Sequence, residues 1–241
     1  MTSDLPACAV VGRGRLGTAL AAALCAAGIA VDGPLGRGTT AAGAGIVLLC
    51  VPDGEIAAAA AALRPAPGAL VGHCSGATTL APLAGHEAFS LHPLMTVPAT
   101  GADFTGVPAA VAGATPRARE TARALAAALG MTPFIVDDAD RAGYHAAASI
   151  ASNFLVTLEW AAQRVGDLDR ALLAPLVRAT VENWAAHGPR ASLTGPIVRG
   201  DETTVARQRE AVADRAPDLL PVFDALAGAT RRLAAEEPVA A

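Results

Sequence analysis

The segment Val10–Gly17 reads V-V-G-R-G-R-L-G, and its surroundings restrict the fold more than any other stretch of the chain. The apolar run before it, Ala7–Val11, has the length and composition of a buried strand. The alanine-rich stretch after it, Leu16–Ala27, reads as a helix. The glycines therefore fall at a strand-to-helix turn. In that position Gly12 permits a tight turn, Gly14 has no Cβ to keep a pyrophosphate from the backbone, and Gly17 lets helix and strand pack closely. The start of a helix also offers free N–H groups and a partial positive charge. Gly12, Gly14, Arg15, Leu16 and Gly17 are accordingly the expected contacts of a dinucleotide.

Short apolar runs and helical stretches alternate through the first half of the chain. Strands are expected at Ala7–Val11, Ile29–Val31, Gly45–Val51, Ala69–Gly72, Phe89–Leu91, Ala109–Ala112 and Thr132–Val136, with helices at Glu55–Leu63 and Pro116–Leu129 between them. This alternation predicts a doubly wound, Rossmann-like α/β domain. The continuous apolar run G-I-V-L-L-C-V fits a parallel sheet covered on both faces. No strand-like run follows Asp137. Asp140–Val165 reads as one long helix, and Leu168–His187 as a second, bent or begun again near Pro175. Further helices are expected at Thr203–Asp214 and Leu219–Ala235. The chain thus divides into an expected NAD(P)-binding domain, 1–138, and an all-α substrate and dimerisation domain, 139–241. The tail Glu236–Ala241 is expected to fray.

Composition removes several function classes. A hydrophobic content of 53% against 17% charged residues supplies a large core and argues against disorder. The net charge of −4 leaves no basic footprint for nucleic acid. No apolar run approaches the ~18 residues of a membrane span. A basic segment ahead of an apolar core is missing at the N-terminus, so no signal peptide is expected and the cytoplasm is the expected compartment. Cys8, Cys25, Cys50 and Cys74 form no C-x-x-C pair and read as small, reduced core residues, with no metal site expected. All 18 basic residues are arginine. Schiff-base chemistry on a lysine, or a lysine acid, is therefore excluded.

The remaining candidates lie at strand ends and on the first long helix. Arg37 follows the second strand, where an arginine suits the 2′-phosphate of NADP(H). Asp32 stands at the distance at which an acidic residue would instead bind the ribose of NAD(H). On the bidentate reach of a guanidinium, NADP(H) is preferred over NAD(H). Val51 and Pro52 end the strongest strand and should border the cofactor, as should Ser75 in H-C-S-G-A. His73 and His92 end neighbouring strands and could move a proton during hydride transfer. In Y-H-A-A-A-S-I-A-S-N, His145, Ser149 and Asn153 recur every four residues and so share a helix face. Such a polar stripe on an apolar helix suits a substrate cleft, with a stripe satisfied by helix packing as the alternative. The loop L-T-G-P-I-V-R-G-D, Leu193–Asp201, carries Arg199, which could clamp an acid, line a dimer interface or simply form a turn.

Taken in order, G-R-G-R-L-G, V-P-D, H-C-S-G-A, H-P-L, Y-H-A-A-A-S-I-A-S-N-F-L and L-T-G-P-I-V-R-G-D resemble the bacterial family with a Rossmann-like domain followed by DUF2520. The resemblance spans nearly the whole chain. It implies a relative of the 6-phosphogluconate-dehydrogenase-like superfamily, in which a helical domain dimerises and closes the cleft of an NAD(P) domain. It also implies a reductase of a small, anionic 2-oxo acid, first of all 2-dehydropantoate (ketopantoate). Better-known ketopantoate reductases and β-hydroxyacid dehydrogenases use a lysine on the first long helix. Tyr144-His145 occupies that place, so His145 would serve as proton donor. H-P-L resembles a segment of prephenate dehydrogenases whose histidine contacts the substrate hydroxyl, which makes His92 the competing donor. Two oxidoreductase alternatives remain, a prephenate- or arogenate-type dehydrogenase and an imine reductase. A third alternative is a nucleotide-binding sensor that lost its chemistry.

Overall fold

The computed structural model describes residues 5–236, so nearly all of the Glu236–Ala241 tail lies outside the described residues. Contacts divide the chain into two compact units that meet between Ala151 and Ser152.

In the first unit, seven strands form one sheet in the order β2-β1-β3-β4-β5-β6-β7. They are β1 (Cys8–Val11), β2 (Val31–Leu35), β3 (Ile46–Leu49), β4 (Leu70–His73), β5 (Glu87–Pro93), β6 (Pro108–Gly113) and β7 (Thr132–Ile135). The first five run parallel; β6 is antiparallel to β5, and β7 follows β6. Reversal at β6 leaves the carboxyl ends of β1, β3, β4 and β5 together on one edge, where ligands bind in open α/β sheets. Cores fill both faces of the sheet. One gathers Val10, Leu20, Leu24, Leu48 and Phe89, and the other Val11, Val47, Leu49, Ile56 and Leu83. Two-sided burial explains why β3 reads as an uninterrupted apolar run.

Helices α1 (Arg15–Ala26), α2 (Ile56–Ala62), α3 (Pro116–Ala128) and α4 (Arg141–Ser149) complete this unit. α3 starts on Pro116, and the Thr115 hydroxyl accepts from the Ala118 N–H. That combination is a strong start signal, because it satisfies one orphan donor and uses a residue with none.

The second strand departs from expectation. It begins at Val31, the last of the apolar residues that marked it, and absorbs the turn-like D-G-P-L stretch. The strand lies at the sheet edge, where the missing N–H of Pro34 breaks no ladder. Gly33 passes so close to the Val10 carbonyl that a Cβ there would press on it. Asp32 therefore pairs with Ala9 inside the strand, and Arg37 follows the strand end.

The expected single helix over Asp140–Val165 is also interrupted. α4 ends at Ser149, a π turn occupies Ile150–Phe154, and α5 runs over Leu155–Gly166. The helix thus changes pitch between Ser149 and Asn153, since a π turn closes on i→i+5 bonds.

The second unit comprises α5, α6 (Arg170–Ser192), α7 (Glu202–Arg215) and α8 (Leu220–Ala235). α6 continues through Pro175 and breaks instead at Gly188, whose φ of 79° is open to glycine and which Pro189 follows. Its small core joins Val212, Ala216 and Leu219 to Ala161, Val165 and Phe223. Arg164–Asp218, Arg209–Asp224 and Arg231–Glu202 ion pairs tie its helices together. Among the described residues, no helix is long and apolar enough to cross a membrane.

Candidate functional site

The glycine turn after β1 is built by close approach. Gly12 adopts φ 125°, and a Cβ on it would strike the Cys50 carbonyl. A Cβ on Gly17 would strike the Gly12 carbonyl, so α1 lies against the turn at a distance only glycine allows. Gly14 differs: nothing lies within 4 Å of the position its Cβ would take. Gly14 is the N-cap of α1, with no side-chain acceptor on the helix start and no acidic residue in the first turn. This turn fits a phosphate-bearing ligand, because it combines open space at Gly14 with an uncapped positive helix end.

Two cavities meet at this turn and share Gly14, Cys50, Val51 and Pro52. One, of about 620 Å³, extends toward the exit of β2, where Arg13, Arg37, Thr39 and Glu55 line it. The Arg37 guanidinium reaches the Glu55 carboxylate at 2.7 Å, with both side chains substantially exposed. Arg13, inside the G-R-G-R-L-G motif, lays its guanidinium over Gly36. Sequence reading missed Arg13, since only the fold brings the turn after β1 beside the end of β2.

The other cavity, of about 470 Å³, runs from Gly14, Arg15 and Leu16 past Pro52 and Ser75 to His92 and His145. β5 and α4 position its far wall. Ser90 and His92 lie two residues apart on β5 and so face one side of the sheet. Arg141 and Tyr144 lie three apart on α4 and so share one helix face. The two periods match. Arg141 bonds the Ser90 hydroxyl, and the Tyr144 hydroxyl lies 2.7 Å from His92 Nδ1. His145, next along α4, approaches Gly76 on the cavity side. His92 and His145 thus come to one cavity. Ser149 lies farther along α4, half-buried, and Asn153 lies exposed in the π turn of the second unit.

His73 and Ser75 are held by the loop instead. His73 is fully buried, accepts the Ser75 N–H at Nδ1 and meets the Thr79 carbonyl through Nε2 at 3.0 Å. Both ring nitrogens are occupied, so this histidine shapes the loop and does not converge on the cavity. The Ser75 hydroxyl donates to Asp53 at 2.8 Å and accepts from the Ala77 and Thr78 N–H groups.

Arg141, only 1% exposed, is the residue the sequence concealed most fully. It bonds the Ser75 carbonyl, the Ser90 hydroxyl and Asp138, whose carboxylate also accepts from the Leu80 N–H. A buried cation beside His92 works against its protonation. Burial first, then the neighbouring His145 and Arg141, push His92 down to about 4. Burial pushes Tyr144 up to about 12.

Two of the cysteines, Cys50 and Cys74, follow β3 and β4 at this edge, whereas Cys8 opens β1 at its other end. Cys50 and Cys74 approach at 3.6 Å, and Cys8 and Cys74 are buried. Cys25 is exposed on α1 and so is not a core residue. Among the described residues, no group of three or more metal-ligating side chains forms.

This geometry defines a Rossmann-type α/β protein followed by a helical part. The same fold occurs in a proposed NADP oxidoreductase from Bacteroides fragilis, with 20% identity, a TM-score of 0.79 and coverage of 95% of this chain and 98% of that one. It occurs in a protein from Thermotoga maritima, at 23% identity, TM-score 0.77 and coverage of 94% and 98%. A reductive aminase from Aspergillus terreus, solved with NADPH and ethyl-5-oxohexanoate, shares it at 15% identity, TM-score 0.64 and coverage of 95% and 94%. No curated protein matches the chain. The chain belongs to the family of the domain of unknown function DUF2520, whose model matches residues 107–230.

Proposed function

We propose that this protein is an NADP(H)-dependent reductase of a small, anionic carbonyl compound, with a 2-oxo acid such as 2-dehydropantoate as the first substrate to test. One observation carries the reading: a single cavity is lined both by the glycine turn and by His92 and His145. An oxidoreductase needs the two together, because the donor of reducing equivalents and the group that handles the proton must reach the same carbonyl. The Bacteroides and Aspergillus proteins, which share the fold, are named for NADP or bind NADPH, and this supports the coenzyme chosen here.

Gly12, Gly14 and Gly17, with the N–H groups of Arg15 and Leu16, would hold the pyrophosphate, while Arg37 and Arg13 would face the 2′-phosphate. Val51, Pro52 and Ser75 would border the coenzyme, which when bound supplies a hydride. His145 is exposed on α4 and would hand a proton to the carbonyl oxygen as it becomes an alkoxide, then recover one from solvent. Neutral His92 would hydrogen-bond the same oxygen. Ser149, on the same helix as His145, would orient the substrate.

The helical unit supports a homodimer. Phe154, Trp160, Leu172, Leu176, Val181 and Trp184 are exposed on α5, α6 and the π turn before them, and no residue of α5 or α6 is buried. Apolar surface of this extent marks an interaction face. Light scattering should give twice the chain mass at micromolar concentration; a fully active monomer would reject the dimer.

The deciding experiment follows NADPH oxidation against a panel of 2-oxo acids and cyclic imines. Turnover of an oxo acid supports the proposal, turnover of imines alone assigns an imine reductase, and tight NADPH binding with no turnover favours a sensor.

A further inference from the structure

The His92–Tyr144 pair fixes more than a contact. The Tyr144 hydroxyl lies 2.7 Å from His92 Nδ1, and the rings meet edge-on at 87° with centroids 5.6 Å apart. Phe134 also packs on the tyrosine ring, with centroids 6.0 Å apart. Nδ1 thus faces Tyr144, whereas Nε2 faces the cavity wall: a Cβ on Gly76 would sit 2.9 Å from it, beside His145. A neutral imidazole has one donor and one acceptor nitrogen, and a phenol has one proton to place. Among the described residues the tyrosine hydroxyl has no other partner than Nδ1. If Nδ1 carried the ring proton, the phenolic proton would have no acceptor there. The arrangement that uses both protons has the phenol donating to Nδ1 and the ring proton on Nε2.

We propose that Tyr144 is a positioning residue that locks neutral His92 in the Nε2–H tautomer, so that the ring offers the cavity a hydrogen-bond donor and not a base. The use of that donor, to polarise a substrate carbonyl, rests on the reductase reading above; the tautomer does not. The electrostatics agree. Tyr144 and His145 face His92 from α4, with the Arg141 cation behind them; His73 stands on β4 and Asp53 after β3. The two flanking histidines and Arg141 disfavour a charged ring, and only Asp53 favours one. Tyr144 keeps its proton through the neutral range because burial holds its hydroxyl above the usual phenol value. Division of labour follows: His92 polarises, and His145 supplies the proton.

The test uses the full-length protein labelled with ¹⁵N-histidine, without substrate. Multiple-bond ¹H–¹⁵N spectra near neutral pH report which ring nitrogen bears the proton, and His92→Gln identifies the resonances. The wild type should show His92 neutral and protonated at Nε2. Tyr144→Phe, which keeps the ring packing, should shift both nitrogens toward a tautomer mixture. With a substrate from the panel, it should lower kcat about five- to tenfold while leaving the NADPH Kd unchanged. An Nδ1–H tautomer in the wild type, or an unchanged spectrum in Tyr144→Phe, overturns the proposal. If Tyr144→Phe does not fold, the wild-type spectrum alone decides. If the spectrum is as expected but no substrate turns over, the reductase reading fails and the tautomer assignment stands.

Discussion

Replacing Arg141 by Met should both destabilise the fold and retune the site. The side chain is 1% exposed and bonds the Ser75 carbonyl, the Ser90 hydroxyl and Asp138. Methionine fills similar volume but satisfies none of them. Each group left unpaired in the interior costs about 1–3 kcal/mol, whereas release of a buried guanidinium from its desolvation penalty offsets part of that. The Asp138 carboxylate is 42% exposed and can be rehydrated, so the loss falls mainly on the two serines. A net destabilisation of about 3 kcal/mol follows, equivalent to roughly 1 M in the urea midpoint. Ser90→Ala should be the milder change. The double variant should be less destabilised than the sum of the two by about 1 kcal/mol, because both single changes break the same bond. NMR titration of His92 should show its pKa rising in Arg141→Met, since a nearby cation that opposes protonation is gone. Additivity within measurement error, or an unmoved His92 titration, would refute the assignment of Arg141 as a buried structural cation beneath the site.

Arg37→Ala should weaken NADPH more than tenfold and leave NADH almost unaffected, in line with about 1.5–3 kcal/mol for a charged phosphate contact; equal losses measured by isothermal titration would sink its assignment. His145→Ala should lower kcat about 10²- to 10⁴-fold with NADPH affinity intact, and a variant that retains full kcat would move the proton to another donor. Acid should destabilise the protein through His92. Its folded pKa, about 4, lies below the unfolded value of 6.5, so the unfolded chain alone takes up the proton between them. Stability should fall as pH drops through that window, by on the order of 3 kcal/mol for this group, and level off below it. His92→Gln should flatten the urea-midpoint profile over the same range.

Much of this was legible in the residues themselves. Strand, glycine turn and helix are local events, each set by patterns a few residues long, so Gly12–Gly17 could be placed and each glycine given a geometric reason before any contact was known. The burial of β3 on both faces was equally plain from its unbroken apolar run. What tertiary structure decided were the matters that depend on distant partners. The D-G-P-L stretch became a strand because it met a sheet edge, which local turn propensity cannot reveal. α4 passed into a π turn where the sequence reads as one continuous helix. Arg13 joined Arg37 because two loops converge at the ends of β1 and β2. Nothing local to Arg141 marks it as buried, and only the packing of α4 over Ser90 makes it a buried cation. The pairing of Tyr144 with His92 joins residues 52 positions apart. Residue type fixes what a side chain is able to do, but protonation and role follow from burial and neighbouring charge, and those exist only once the chain has folded.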